Sequence, residues 1–338
     1  MGSHRRLAPS GFDRGALCVL SATAAALSAV AAAVPAATAA PQEDTRGEVD
    51  RLYEAAEKAT EAFNEAGERA GTLRRQVGDS QDRIARTQER VNDLRERLGS
   101  LAGAQYRSGG LDPSLALLFS DDPADYLDRA SVLDRITTQQ AGELKDLRGA
   151  LRELAQERTE ATRKLGELEK SREAVEKHKR TVEQKLARAR QLLNSLPSVE
   201  RAAYDRASRS GRSGLPGPEG APATGRAGAA LAAARSALGR PYVWGANGPT
   251  GFDCSGLVQW SYAQAGVGLP RTSQAQAHAG RRVPLSQARP GDIVTYRSDA
   301  SHVGMYAGNG QVIHAPYPGA PVRYDPVGMM PVSSVTRP

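Results

Sequence analysis

Two stretches, residues 46–104 and 123–196, are rich in Glu, Arg, Lys, Gln, Ala and Leu and almost free of proline, and both read as long helices. In the first, Val77, Ile84, Val91 and Leu98 recur every seven residues, with Leu73, Leu94 and Leu101 in the interleaved register, where Ser80 and Thr87 interrupt it. In the second, Leu147, Leu154, Ala161, Leu168, Val175 and Val182 form one register, and Leu144, Leu151, Leu165, Leu186 and Leu193 the other. A heptad seam sustained this far predicts a coiled coil rather than a globular helix pair, loosened where Arg158, Arg172 and Lys179 fall in register. Tyr106-Arg107-Ser108-Gly109-Gly110-Leu111-Asp112-Pro113 breaks the pattern between the halves, so the expected form is an antiparallel hairpin with arms of roughly 80 to 100 Å. The apolar run Leu115–Phe119 at its tip is expected to be a packed cap or a docking surface.

Ahead of the hairpin, Arg5, Arg6 and Arg14 precede an apolar, alanine-rich run from Ala16 to Val34 that ends on Ala37-Thr38-Ala39. Basic start, short apolar run and small-x-small site predict a signal peptide over 1–39, export to the cell exterior and no stable membrane insertion. Its removal would take Cys18 and leave Cys254 as the one cysteine of an exported chain. A solitary thiol in an oxidising compartment is either buried or used, which makes Cys254 a candidate nucleophile beside a structural alternative.

The expected domains are a signal peptide 1–39, a coiled-coil hairpin 40–200, a flexible Gly/Pro/Ser/Arg linker 201–226 and a catalytic domain 227–338. The last carries nine arginines against Asp253, Asp292, Asp299 and Asp325, a surplus of 9 − 4 = 5 positive charges. A basic exported domain suits an anionic wall polymer and gives no reason to expect nucleic acid as partner. Its pattern predicts α+β: a helix 228–238 stopped by Gly239, a second helix opening at Cys254 behind the N-cap Asp253, then strands over 292–297, 302–307 and 311–315. Gly308-Asn309-Gly310 marks a hairpin between the last two strands.

A cysteine in a helix's first turn lies where free amide N–H groups and the dipole favour its thiolate. His302 and His314, six residues to either side of Gly308, are expected as cross-strand neighbours on one face. His302 would then serve as base and His314 as the group that orients it. Cys254, His302 and His314 are also zinc-binding residue types, but they lack close paired spacing, and neither metal nor cofactor is expected. His278 reads as structural or solvent-facing.

Pro241-Tyr242-Val243-Trp244-Gly245, Asp253-Cys254-Ser255-Gly256-Leu257-Val258, Leu269-Pro270-Arg271-Thr272-Ser273, Pro290-Gly291-Asp292, His302-Val303-Gly304-Met305-Tyr306 and Ile313-His314-Ala315-Pro316 stand in the order of an NlpC/P60 domain, which the last third of the chain resembles. The resemblance implies a papain-like fold and a cysteine peptidase with nucleophile Cys254, base His302 and orienting partner His314. Tyr242 would lie beside the nucleophile and help hold the oxyanion, and Asp253, Ser255, Arg271 and Ser273 would line the substrate cleft. The implied reaction cuts peptidoglycan stem peptides between D-γ-glutamate and the diamino acid. Gly245-Ala246-Asn247 departs from the family's Gly-Gly after the tryptophan. The hairpin resembles the coiled coils of PcsB- and EnvC-like cell-separation hydrolases at Tyr106–Gly110 and Tyr126–Arg129, which implies a membrane partner of the FtsE/FtsX kind at the tip. A catalytically silent scaffold and a related Cys-His amidase stand as the alternative functions.

Overall fold

The computed structural model describes residues 40–107, 123–209 and 225–338, with the side chains of 40–44, 105, 123–126, 129 and 204–209 left aside. The expected signal peptide, the apolar tip Leu115–Phe119 and most of the expected linker lie outside these residues. The described residues from 41 onward form one compact unit. No helix among the described residues is long and apolar enough to cross a membrane.

Helix α1 (Ala40–Arg107) and helix α2 (Pro123–Ser195) are the two arms. Their pairing is antiparallel, because layers advance along α1 as they retreat along α2. Val49, Leu52, Tyr53 and Ala56 pack with Val182, Leu186 and Ala189; Ala70, Leu73 and Val77 with Leu168; Val91 and Leu94 with Ala150 and Leu154. Polar rungs follow the same order: Ser171 Oγ donates to the Ala66 carbonyl, Lys164 to Ser80 and Arg158 to Gln88. Ser80 and Thr87 are buried in the seam, and Ser80 turns its hydroxyl back onto the Gln76 carbonyl. The second α2 register is only partly used, since Leu144 and Leu165 are 44% and 49% exposed while Leu186 is buried. Helix α3 (Ser198–Arg209) runs into the stretch expected as linker.

In the C-terminal domain, α4 (Gly225–Ser236) and α5 (Cys254–Gln264) pack on one face of a six-stranded antiparallel sheet. The one-turn helix α6 (Ser273–Gln276) leads into the strands. These are β1 (Arg281–Val283), β2 (Ile293–Tyr296), β3 (His302–Gly308), β4 (Gln311–His314), β5 (Arg323–Pro326) and β6 (Val332–Arg337), in the order β1-β6-β2-β3-β4-β5. Ala230, Leu231 and Ala234 of α4 and Leu257, Val258 and Tyr262 of α5 meet Ile293, Val303, Met305 and Ile313 of the sheet in one core. Val283, Val294, Tyr296, Val312 and Val335 make a second core on the other face. This is the α+β domain expected, with β2, β3 and β4 where the alternation placed them.

One register differs from expectation. Asn309 and Gly310, with φ of 50° and 71°, form a two-residue loop of the mirror-image type that suits a hairpin's twist. Met305 therefore faces Ile313 and Tyr306 faces Val312, with a bulge between Tyr306 and Gly308. His314 lies opposite Gly304 rather than His302, and the two histidines are diagonal neighbours on one face. A Cβ at Gly304 would sit 3.1 Å from that of His314, so glycine there makes room for the imidazole.

Leu154→Ala, in the Val91–Leu94 layer, is expected to cost about 2–3 kcal/mol of arm stability, and Leu165→Ala less than about 0.5 kcal/mol. Chemical denaturation followed by circular dichroism checks this; equal losses would contradict the seam.

Candidate functional site

Asp253 caps α5: it is extended, with φ −89° and ψ 178°, and its Oδ1 accepts the Gly256 N–H at 2.7 Å. Cys254 thus occupies the first helical position, as the capping pattern predicts, and is 1% exposed. Gly256 has no alternative, because a Cβ there would meet the Ala246 carbonyl oxygen at 2.2 Å. That same oxygen accepts the Asp253 N–H at 2.9 Å, so the loop that departs from the family's Gly-Gly still anchors the start of the helix that carries Cys254.

His302 opens β3 and His314 closes β4, both fully enclosed. His302 Nε2 and His314 Nδ1 are 2.8 Å apart with their rings nearly perpendicular, at 88°. His314 Nε2 lies 2.8 Å from Asp325 Oδ2 on β5, which also accepts from Arg323 Nε at 2.8 Å. Burial outweighs the Asp325 hydrogen bond and pulls the His314 pKa down to about 4, which keeps that ring neutral. Tyr242 is buried, and its hydroxyl is held protonated first by burial and next by the negative charge that ionisation of the neighbouring Cys254 would bring. Arg271 grips Asp253 with two nitrogens, at 3.0 and 2.5 Å, and gives a further hydrogen bond to Ser255 Oγ at 2.8 Å. Cys254, His302, His314, Tyr242, Asp253, Ser255, Arg271 and Ser273 are all brought to one cleft. His278 is exposed, away from it.

The cleft is filled by the arm. One face of α1 presents Glu57, Thr60, Glu61 and Asn64, each no more than 5% exposed. Glu57 Oε1 is 2.8 Å from His302 Nδ1 and its Oε2 is 2.6 Å from Arg297 Nη1. Glu61 accepts the Ser255 hydroxyl at 2.7 Å and the Ser273 backbone N–H at 2.8 Å, and its Oε1 is 3.7 Å from Cys254 Sγ. Asn64 donates to Asp253 Oδ2 at 3.2 Å. Tyr53 stacks on Tyr317, Phe63 meets the edge of Trp244, and Lys58 pairs with Asp299 at 3.1 Å around the rim.

This packing reverses the expected state of the thiol. Burial first, then the charges of Glu61, Glu57 and Asp253, push the Cys254 pKa well above its ordinary value, against the helix terminus that favours a thiolate. Burial and the charge of Asp253 likewise lift Glu61 to about 7, despite Ser255, Ser273 and Arg271. Burial also opposes ionisation of Glu57, but His302 and Arg297 outweigh it and hold the carboxyl below its usual range.

Among the described residues, the group able to converge on a metal is Glu57, Cys254 and His302, whose donor atoms lie within 4.8 Å of one another. His314, named with Cys254 and His302 in the zinc alternative, is not part of that group; its ring nitrogens face His302 and Asp325. Glu57, Glu61, Asn64 and Asp325 are not among the site residues expected from the sequence. The signal for the first three was available: charged and amide side chains at i, i+4 and i+7, with the aromatic Tyr53 and Phe63 on either side of them.

The NlpC/P60 family model matches residues 239–335. A probable endopeptidase of Corynebacterium glutamicum is 42% identical over 151 residues, which is 43% of this chain and 72% of that protein. The chain belongs to the NlpC/P60 family. A probable endopeptidase of Mycobacterium tuberculosis is 52% identical over 99 residues, 29% of this chain, and this chain spans about a quarter (26%) of that relative's length. Among solved structures, the NlpC/P60 domain of the peptidoglycan hydrolase SagA is 36% identical, with 33% of this chain and 98% of that chain covered and a TM-score of 0.32.

Glu61 in this NlpC/P60 protein gives a pH dependence of definite sign. Free on an exposed helix it would ionise near the ordinary 4.5, and seated it holds its proton to about 7. Docking therefore takes up a proton in between, is strongest below the lower value and weakens as pH rises through the upper one. Hydrogen exchange over residues 57–64 is expected to speed up between those pH values beyond its intrinsic rate, and Glu61→Gln to remove the pH step. A step unchanged in Glu61→Gln would contradict the assignment.

Proposed function

We propose that the chain is a secreted, wall-associated cysteine endopeptidase of peptidoglycan, held latent by its own coiled coil. The observation that carries this reading is that one helical face of α1 occupies both halves of the chemistry at once. Glu57 engages the nitrogen of His302 that the base would use, and Glu61 stands against the nucleophile.

With α1 withdrawn, His302 Nδ1 takes the Cys254 thiol proton and the thiolate attacks the carbonyl carbon of the scissile amide. The oxyanion is held by the Cys254 backbone N–H and the Tyr242 hydroxyl, which its raised pKa keeps a donor. Collapse expels the amine with the proton from His302, and water, activated by the same ring, then hydrolyses the thioester. The bond proposed is the one between D-γ-glutamate and the diamino acid. Supporting it is the seat that Glu61 fills: the Ser255 hydroxyl and Ser273 N–H receive a carboxylate there, beside the Arg271–Asp253 pair. A γ-linked glutamyl residue carries a free α-carboxylate that can use the same donors, so Glu61 acts as a substrate mimic.

The heptads that pair the arms also make α1 a lever, and we propose that an FtsE/FtsX-like membrane complex draws it out through the hairpin tip. The basic excess of the domain suits an anionic wall, although Arg271, Arg297, Arg323 and Arg337 are already paired with carboxylates.

In the full chain, Glu57→Ala with Glu61→Ala is expected to raise cleavage of a soluble stem peptide at least about tenfold, a shift of about 1.4 kcal/mol. Adding Cys254→Ala should return cleavage to background. Mass analysis of the fragments checks both, and an unaltered rate in the double variant would remove the latency reading.

A further inference from the structure

Four ring nitrogens, those of His302 and His314, lie in line between two carboxylates. Glu57 Oε1 stands at one end and Asp325 Oδ2 at the other, and each of the three gaps is 2.8 Å. A carboxylate can only accept, and a neutral imidazole has one N–H and one bare nitrogen. The charge at each end therefore dictates where protons sit along the whole line.

We propose that Asp325 is a positioning residue that fixes the proton arrangement of both histidines and so makes His302 Nδ1 the base. This rests on the thiol mechanism proposed above. Asp325 accepts from His314 Nε2–H, which leaves His314 Nδ1 bare. His302 must then place its own proton on Nε2 to meet that lone pair, and its Nδ1 is left free to take the thiol proton. Reversing the first hydrogen bond would reverse the second and put a proton on His302 Nδ1, where the base is needed.

Three features of the site support this. Arg323, which pairs with His314 in the β4–β5 register, donates to the same Asp325 oxygen and so holds the carboxylate in place. The Asp325 carboxyl is held below its usual range: burial opposes ionisation, but the His314 hydrogen bond and Arg323 outweigh it. His314 is sealed between β3 and β5, and on the β3 side the residue opposite it is a glycine, Gly304.

The same counting explains the latent state. When Glu57 also accepts from His302 Nδ1, three protons must occupy the four nitrogens, so His302 carries two and is an imidazolium. Glu57 thus inhibits by keeping the base protonated, and it can do so because Asp325 prevents the line from relaxing the other way. A cavity of about 350 Å³ lies beside the line, where Glu57, Asp50, Glu54 and Arg297 face His314, Asp325 and Arg323, so the ionisation of the line is read against all of these groups.

The test uses the full chain carrying Glu57→Ala and Glu61→Ala, labelled with ¹⁵N-histidine, with and without Asp325→Ala. With Asp325, both rings are expected as Nε2–H tautomers. Without it, an Nδ1–H form of His302 should appear, and kcat on a soluble stem peptide should fall about tenfold or more with KM within about twofold. Unchanged tautomers overturn the proposal whatever the rate does, and shifted tautomers with an unchanged kcat overturn its bearing on the reaction. If the Asp325-containing parent cleaves nothing, the peptidase reading fails while the tautomers still decide the positioning claim. Should Asp325→Ala not fold, Asp325→Asn keeps an oxygen for both donors and removes the charge. It is expected to move the pH profile of kcat/KM to lower pH, and an unmoved profile overturns the proposal.

Discussion

A carboxylate taken out of water must find a cation or give up its charge, and Glu57 finds Arg297 at 2.6 Å, with the His302 ring as a second hydrogen-bond partner at 2.8 Å. The seating of α1 depends on this contact. It joins an arm residue to the start of β3 and to the loop before it, and it commits the imidazole that the chemistry requires. Glu61, four residues further along the same face and without a cation in direct contact, ionises reluctantly instead and leans on the Ser255 hydroxyl and the Ser273 amide. One helix face thus brings a charged lock and a titratable one to the same cleft.

The arm serves two surfaces at once. Its seam, from Val49 through Val91, packs against α2, while Glu57, Glu61 and Asn64 are committed to the catalytic domain. A single helix carries both, and that is the physical basis of the proposed latency: a displacement of α1 along the coiled coil would carry Glu57 and Glu61 with it. The apolar contacts that frame the plug, Tyr53 on Tyr317 and Phe63 on Trp244, are few, and most of the docked face is polar. Such an interface suits a contact that must open.

Much of this was legible in the sequence where a local rule governs a local structure. Asp253 before Cys254-Ser255-Gly256 is a cap followed by an uncrowded first turn, and the heptads from Leu73 onward mark the seam. The hairpin around Asn309-Gly310 was legible, but its register turns on a bulge near Gly308 that alternation does not encode: the bulge sets His314 opposite Gly304 rather than Met305, so both histidines share one face and meet diagonally. Strands β1, β5 and β6 were not foreseen, because Arg281–Val283 is three residues long and Arg323–Pro326 is an edge with little alternation. Leu144 and Leu165 continue a heptad on paper and face outward in the fold. Glu57, Glu61 and Asn64 escaped notice because charged residues on a coiled coil ordinarily face water, and only a partner surface distant in sequence makes them buried. Asp325 escaped for a related reason: its meaning depends on the β4–β5 register that sets it beside His314.

The central claim is that α1 seals a competent thiol, and the rate of alkylation at Cys254 tests it most directly. The Cys254 peptide would be followed by mass spectrometry after iodoacetamide treatment of the folded full chain, wild type against Glu57→Ala/Glu61→Ala. The account predicts modification at least about tenfold slower in the wild type, because burial and three carboxylates hold the thiol protonated. Equal rates in the two proteins would contradict it.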